Sequence, residues 1–312
     1  SLRDWYARHG RDLPWRRSRD PYAVWVSEVM LQQTQVATVL PYYERWMARF
    51  PTAASLAEAD DQDILAYWQG LGYYRRCRHL VAGVRLAVRD GFPQGLAAWR
   101  AMPGVGDYTA AALASILDGE PAPVVDGNVE RVYARVCADP NIGDARRKAA
   151  RAWAQTLISH DRPGDWNQAI MELGATVCRP RNPSCPTCPI QADCRAHAEG
   201  RVHEFPTPKP RPETFHIDRH VGIWTRRGAI ALVQAEEDDW WTDLWILPPA
   251  SGPERARITT TVTRHRVTLI AVSPTERPPA DTQWVEIHDL DLIPVPAPFR
   301  KLLIKQIGRA HV

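Results

Sequence analysis

The sequence predicts two domains of different class: an all-α domain over residues 1–199 and a smaller α+β domain over residues 214–312. Three observations carry this. Apolar residues recur at helical spacing from Asp20 to Cys178, with no strand-like alternation between Val36 and Arg89. Four cysteines, Cys178, Cys185, Cys188 and Cys194, then follow in a C-x6-C-x2-C-x5-C run spaced by prolines. Residues 200–213, GRVHEFPTPKPRPE, read as an extended linker, and beyond them the texture becomes alternating and β-branched.

At 312 residues the chain suits one large domain or two ordinary ones. No apolar run is long enough to span a bilayer, and the first residues lack a basic-then-apolar signal pattern, so a place in the cytosol is expected. The net charge of +3 is unevenly spread: residues 213–312 carry 12 Lys/Arg against 13 Asp/Glu, and residues 1–212 carry 27 against 23. The basic excess, nearly all Arg, accompanies the chemical motifs and favours a phosphate backbone as partner.

Taken in order, RDLPWRR (Arg11 to Arg17) precedes a helix start at Asp20, an N-cap with Pro21 in the first helical position. The helix YAVWVSEVMLQQT is apolar nearly all round and therefore buried. Glu28 lies in its middle. A carboxylate there is costly unless it is paired or holds a proton, so it is either a structural ion pair or a functional acid. Further helices follow. The break Gly70-Leu71-Gly72 carries Tyr73-Tyr74 and Arg75-Arg76, which suits either a packed helix turn or a wedge into stacked bases.

In AMPGVGDYTAAAL, Pro103 and two glycines make a tight connection between helices. Gly104 and Gly106 let the backbone approach a neighbour, and the exposed N–H groups of the next helix can grip a phosphate without reading sequence. In PVVDGNVER, Asp126 ends a short apolar run and caps a helix over Val129 to Cys137, or does chemistry as well. Helical text resumes over residues 145–175 and ends in WNQAIMELGATVC.

Of six cysteines, Cys77 and Cys137 read as buried thiols. Disulfides are not expected of the other four in a cytosolic chain. Structural zinc sites usually come as two close pairs, and only Cys185 and Cys188 form one; a 4Fe–4S cluster also takes four thiolates and fits a compact loop. Past the linker, HVGIWTRRGAIALVQ, LWILPP, ITTTVTRHRVTLIAVS and TQWVEI are strands, and APFRKLLIKQI is a closing helix.

SEVMLQQTQV, GLGYYRR, MPGVGDYTAAAL, VVDGNVERV and the cysteine spacing occur here in the order found in MutY-type adenine DNA glycosylases of the helix-hairpin-helix superfamily. The resemblance spans nearly the whole chain. It implies a helix-hairpin-helix glycosylase domain with a 4Fe–4S loop at residues 178–194 and a Nudix-like lesion-recognition domain, in which LWILP matches a core strand and the acidic Nudix helix motif is missing. It implies a monomeric, nucleoid-associated bacterial enzyme acting on double-stranded DNA that contains adenine mispaired with 8-oxoguanine or guanine.

By the same resemblance, Glu28 is the general acid that protonates adenine at N7, and Asp126 the carboxylate that stabilises the oxocarbenium-like sugar. Asn128 and Tyr108 orient this pair and the nucleophilic water. Arg11, Leu13, Trp15, Arg16, Gln33 and Gln168 line the adenine pocket or read the duplex, which requires the base to leave the stack. Gln32 and Tyr74 push into the space around the lesion pair. The family's Phe-Ser-His loop aligns with Thr263-Arg264-His265, so the aromatic and the small hydroxyl are replaced. Endonuclease III carries a nucleophilic Lys where Tyr108 stands, and the thymine glycosylase of the same fold lacks a second domain. A non-catalytic DNA-binding or iron–sulfur module is the alternative from another class, and it conflicts with two intact carboxylates.

Overall fold

The computed structural model describes residues 1–208, 210, 213–237, 239–290 and 292–307. The chain divides into two compact units: one of Ser1–Ala57 with Arg78–Pro210, the other of Glu58–Cys77 with Arg211–Val312. The expected linker includes Lys209, Arg211 and Pro212, which lie outside the described residues.

The helices are α1 (Leu2–His9), α2 (Pro21–Leu31), α3 (Val36–Arg49), α4 (Ala53–Ala57), α5 (Asp61–Trp68), α6 (Tyr74–Asp90), α7 (Gly95–Arg100), α8 (Asp107–Leu113), α9 (Gly127–Val136), α10 (Gly143–Leu157), α11 (Pro163–Thr176), α12 (Arg195–Ala198) and α13 (Ala297–Ile307). No helix among the described residues is long and apolar enough to cross a membrane.

In the first unit α2 is the central element. Asp20 caps it by accepting the Tyr22 N–H, and Tyr22 through Met30 are all buried, as its all-round apolar sequence requires. A Cβ on Gly83 would sit 2.5 Å from the Trp25 ring, so only glycine lets α6 cross α2 this closely. Helices α7 and α8 form the hairpin around Pro103. Gly104 has φ +70 and its backbone lies against His79, where a Cβ would come within 2.4 Å. Helix α8 runs on into a π-helical segment, Ala114–Asp118. Asp118 accepts from Gly95 N at 2.8 Å and from Trp99 Nε1 at 3.0 Å, tying that segment back to α7. Helices α1, α9, α10 and α11 pack on a core containing Val124, Val129, Val132, Ile170 and Leu173. Within residues 200–208, Val202 and Phe205 are buried with Ala134 and Ala196, and the Phe205 carbonyl accepts from Arg135 Nε at 2.9 Å.

The second unit holds the strands β1 (Phe215–Gly222), β2 (Thr225–Arg226), β3 (Ala229–Gln234), β4 (Trp245–Ile246), β5 (Glu254–Val262), β6 (His265–Val272) and β7 (Gln283–Glu286). One sheet has the order β1-β6-β5, with β1 parallel and β5 antiparallel to β6. The other has the order β2-β3-β4, with β7 paired to β3. Helix α13 packs on β5 and β6 and buries Phe299, Leu302 and Leu303. This is the α+β texture expected for the second domain.

Candidate active site

Residues from six sequence stretches of the first unit line one cavity of about 1270 Å³. Glu28 enters it from the middle of α2, and Asp126 from the turn before α9. Tyr108 comes from the first turn of α8, and Gln168 from α11. Arg11, Leu13, Trp15 and Arg16 form one wall, while Gln32, Gln33, Gly104, Gly106 and Asn128 complete the lining.

The two carboxylates differ in surroundings. Asp126 accepts three hydrogen bonds. Its Oδ1 accepts from Asn128 N at 2.9 Å and Val129 N at 2.8 Å, and its Oδ2 from Asn128 Nδ2 at 2.8 Å. Burial pushes its carboxyl above the ordinary value, and these donors, with the Arg131 charge, oppose that by favouring the ionised form. One side chain thus both caps α9 and lines the cavity. Glu28 is 6% exposed, and its Oε2 has no hydrogen-bond partner among the described residues. Burial pushes its pKa to about 7, against the smaller lowering effects of Tyr108 and Arg16. Like-charge repulsion from Asp126 is a smaller contribution to that rise. The Tyr108 hydroxyl donates to the Met171 thioether at 3.1 Å, and burial followed by the Glu28 charge holds its pKa well above the usual phenol value.

Sequence reasoning missed Glu172. It is fully buried on α11 and lies in the cavity wall. Arg11 grips it through Nε at 2.7 Å, Nη2 at 2.9 Å and its backbone N–H at 3.1 Å. Arg16 adds Nη2 at 2.8 Å. Burial alone would raise the Glu172 carboxyl, but the two guanidiniums outweigh it and the net shift is downward. The signal available was a lone acid in the apolar run IMELGATV. Around this clamp, Gln168 Oε1 accepts from the Tyr6 hydroxyl at 3.1 Å, and Trp15 packs edge-on against Tyr43. Gln32 Nε2 donates to Thr109 Oγ1 at 3.1 Å, which ties the end of α2 to α8, and Gln33 takes a left-handed φ of 59.

Asn128 continues outward from Asp126. Its Oδ1 accepts from Arg131 Nη2 at 2.8 Å, and Arg131 Nε donates to the Cys178 carbonyl at 2.8 Å. Cys178, Cys185, Cys188 and Cys194 line a common hollow with Val132, Leu173 and Ile190 among its apolar walls. Arg135 Nη1 donates to Cys178 Sγ at 3.3 Å. Burial raises the Cys188 thiol to about 11, while the Ile190 N–H works the other way; His197 and Ala196 N–H groups likewise serve Cys194. Among the described residues no group of three or more His, Cys, Asp or Glu side chains is gathered closely enough for a single metal ion.

The remaining expected residues lie in the second unit. Tyr74 is 7% exposed, whereas its neighbour Tyr73 is 50% exposed and held at φ 50. Thr263 and Arg264 are the two-residue turn between β5 and β6, with Thr263 at φ 54. Thr263 Oγ1 is 3.4 Å from His265 Nδ1. The Arg264 guanidinium lies over the Phe215 ring at 5.0 Å, and the His265 ring sits between Phe215 and Trp240.

The model of the HhH-GPD superfamily of base excision DNA repair proteins matches residues 26–155. The chain is 38% identical over 303 residues to the adenine DNA glycosylase of Arabidopsis thaliana, covering 82% of this chain and 48% of that protein. To the human adenine DNA glycosylase it is 49% identical over 210 residues, covering 63% and 38%. To that of Buchnera aphidicola subsp. Schizaphis graminum it is 34% identical over 251 residues, covering 78% and 72%. The chain thus spans less than half of the plant and human relatives. Among solved structures, a thermostable thymine-DNA glycosylase superposes with a TM-score of 0.58 at 27% identity, over 64% of this chain and 94% of that one. Endonuclease III in a DNA complex superposes at 0.54 and 20% identity, over the same shares, and supports the fold of the helical part. With these relatives and this fold, the chain belongs to the adenine DNA glycosylase family of the HhH-GPD superfamily.

Proposed function

We propose that the protein is a monofunctional glycosylase that hydrolyses the N-glycosidic bond of adenine mispaired with 8-oxoguanine or guanine in duplex DNA. The carrying observation is the unlike pair of carboxylates in one cavity: Glu28, able to hold a proton near neutrality, and Asp126, which accepts three hydrogen bonds. Glu28 gives its proton to adenine N7, which turns the base into a neutral leaving group. Asp126 faces the positive charge that builds on the sugar. Tyr108 and Asn128 hold the two acids and the attacking water. Arg11 and Arg16, fixed by Glu172, present a rigid wall with Leu13, Trp15, Gln33 and Gln168 to the everted base. Gly104 and Gly106 offer backbone to a phosphate, and Gln32 and Tyr74 push into the space around the lesion pair. No amine stands at the Tyr108 position, so no Schiff base forms and strand scission needs added base.

We further read residues 1–199 as the catalytic domain, 200–213 as a linker and 214–312 as a Nudix-like domain that reads the opposite base. The four cysteines suit a 4Fe–4S cluster: they line one hollow, and Arg135 and backbone N–H groups there oppose the rise that burial gives the Cys188 and Cys194 thiols. Bound there, the cluster would cross-link residues 178–194 through thiolate–iron bonds. The protein acts as a monomer at the bacterial nucleoid.

A second reading concerns the opposite base. 8-Oxoguanine presents an N7–H that needs an acceptor, and Arg264 has only donors. With Thr263 Oγ1 directed at His265, preference for adenine opposite 8-oxoguanine over guanine is weakened. The test of the main reading is single-turnover incubation with an adenine·8-oxoguanine duplex. Release of free adenine, with nicking only after alkali and no borohydride-trapped adduct, supports it. An intact duplex, or a trapped adduct, overturns it.

A further inference from the structure

We infer that Asn167 is a positioning residue for Asp126, an inference that rests on the glycosylase reading above. Asn167 lies on α11 with no exposed surface, and its carboxamide makes three hydrogen bonds. Oδ1 accepts from Val124 N at 3.0 Å. Nδ2 donates to the Ala122 carbonyl and to Ser115 Oγ, both at 2.8 Å.

The segment between Gly119 and Asp126 belongs to no helix or strand. Ala122 and Val124 are buried there, so their peptide groups need partners. A neighbouring strand would accept the N–H of one residue and donate to the C=O two places earlier. Asn167 does both with one side chain and so stands in for a strand. Asp126 follows Val124 by two residues, held from the other side by the Asn128 and Val129 N–H groups of α9. Its distance from Glu28 is therefore fixed between α9 and Asn167.

The third bond reaches the π-helical end of α8, the element that carries Tyr108. Gly164, one turn ahead of Asn167, lets α11 come this near: a Cβ there would meet Ser115 O at 2.7 Å. One carboxamide thus joins the supports of Asp126, Tyr108 and Gln168. Alanine has neither donor nor acceptor, aspartate lacks the donors, and glutamine is too long by a methylene.

The groups facing Glu28 are Tyr108 from α8, Arg16 from the turn before α2 and Asp126 itself. When Asp126 drifts away, Glu28 loses the repulsion that helps it keep its proton. The test is single-turnover excision against pH for Asn167→Ala, with binding of a duplex whose target deoxyadenosine is 2′-fluorinated and resists cleavage. The expected result is a rate loss on the order of 100-fold, the cost of about 1 Å of misplacement. Binding should stay within about twofold, and the basic limb of the pH profile should move to lower pH. Ser115→Ala, which removes one partner only, keeps the test available if Asn167→Ala does not fold; it should show the same direction at about 3- to 10-fold. An unchanged rate, a loss explained by weaker binding, or a slow variant with an unmoved basic limb overturns the inference while the glycosylase reading stands. A parent protein that releases no adenine overturns both.

Discussion

Glu28 and Asp126 meet in one cavity with opposite hydrogen-bond inventories: three donors reach the Asp126 carboxylate, and none among the described residues reaches Glu28 Oε2. Burial raises both acids, but at Asp126 the Asn128 and Val129 donors and the Arg131 charge oppose the rise, while Glu28 is carried to about 7. That separation is what a reaction needing one proton donor and one fixed negative charge requires.

Glu28→Gln keeps the shape and cannot deliver a proton. Single-turnover excision should fall by about 10²–10⁴-fold, with duplex binding retained. Near-full excision would make Glu28 structural. The same change should affect stability. Glu28 is raised in the fold to about 7 from 4.5, so the folded state binds more protons between those values and stability falls as pH rises through that window. Above pH 7 the Gln variant should unfold at higher urea than the parent, and below about pH 4.5 this advantage should vanish.

Glu172→Ala should destabilise the protein by about 3 kcal/mol, because it removes the buried carboxylate and leaves two guanidiniums without their counter-ion; the value sits at the low end since Arg11 is partly exposed. Urea titration reads this directly. A change under about 0.5 kcal/mol, the level of an ordinary surface substitution, would show that the clamp holds nothing.

Glu28 and Asp126 stand out as candidates in local text, an acid in an apolar helix and a cap after an apolar run, and their roles are assigned by the resemblance. Glu172 does not, since its meaning depends on Arg11 and Arg16, which lie 161 and 156 residues away. Asn167 was hidden for the same reason, its partners being 43 to 52 residues distant. For the tyrosine pair, sequence favoured Tyr74. Tyr73 takes a left-handed φ and is half exposed while Tyr74 is buried, a difference in burial with no counterpart in residue type. Nor does the helical text of residues 58–77 signal that they group with the β-rich part. The order of helices then strands was legible because periods of 3.6 and 2 are distinct.

Protein prepared anaerobically should be brown and carry about four irons per chain, as four thiolates around a cubane imply. Removing the iron with chelator and oxidant should lower the thermal midpoint, since a cross-link of residues 178–194 is lost. Stoichiometric zinc without iron would overturn the assignment.

Arg264→Ser should raise the preference for adenine opposite 8-oxoguanine over guanine by about 1–3 kcal/mol, the value of one well-placed base contact. Paired single-turnover rates on the two mispairs read this. If the parent already discriminates strongly and Arg264→Ser adds nothing, Arg264 has no part in reading the base.

The pH dependence of single-turnover adenine excision tests the pairing of Glu28 with Asp126 most directly. The rate should be high while Glu28 holds its proton and should fall about tenfold per unit above a break near pH 7, following that carboxyl. Glu28→Gln should show no such break in whatever rate remains. A rate that rises through pH 7, or a break that survives Glu28→Gln, would contradict the account.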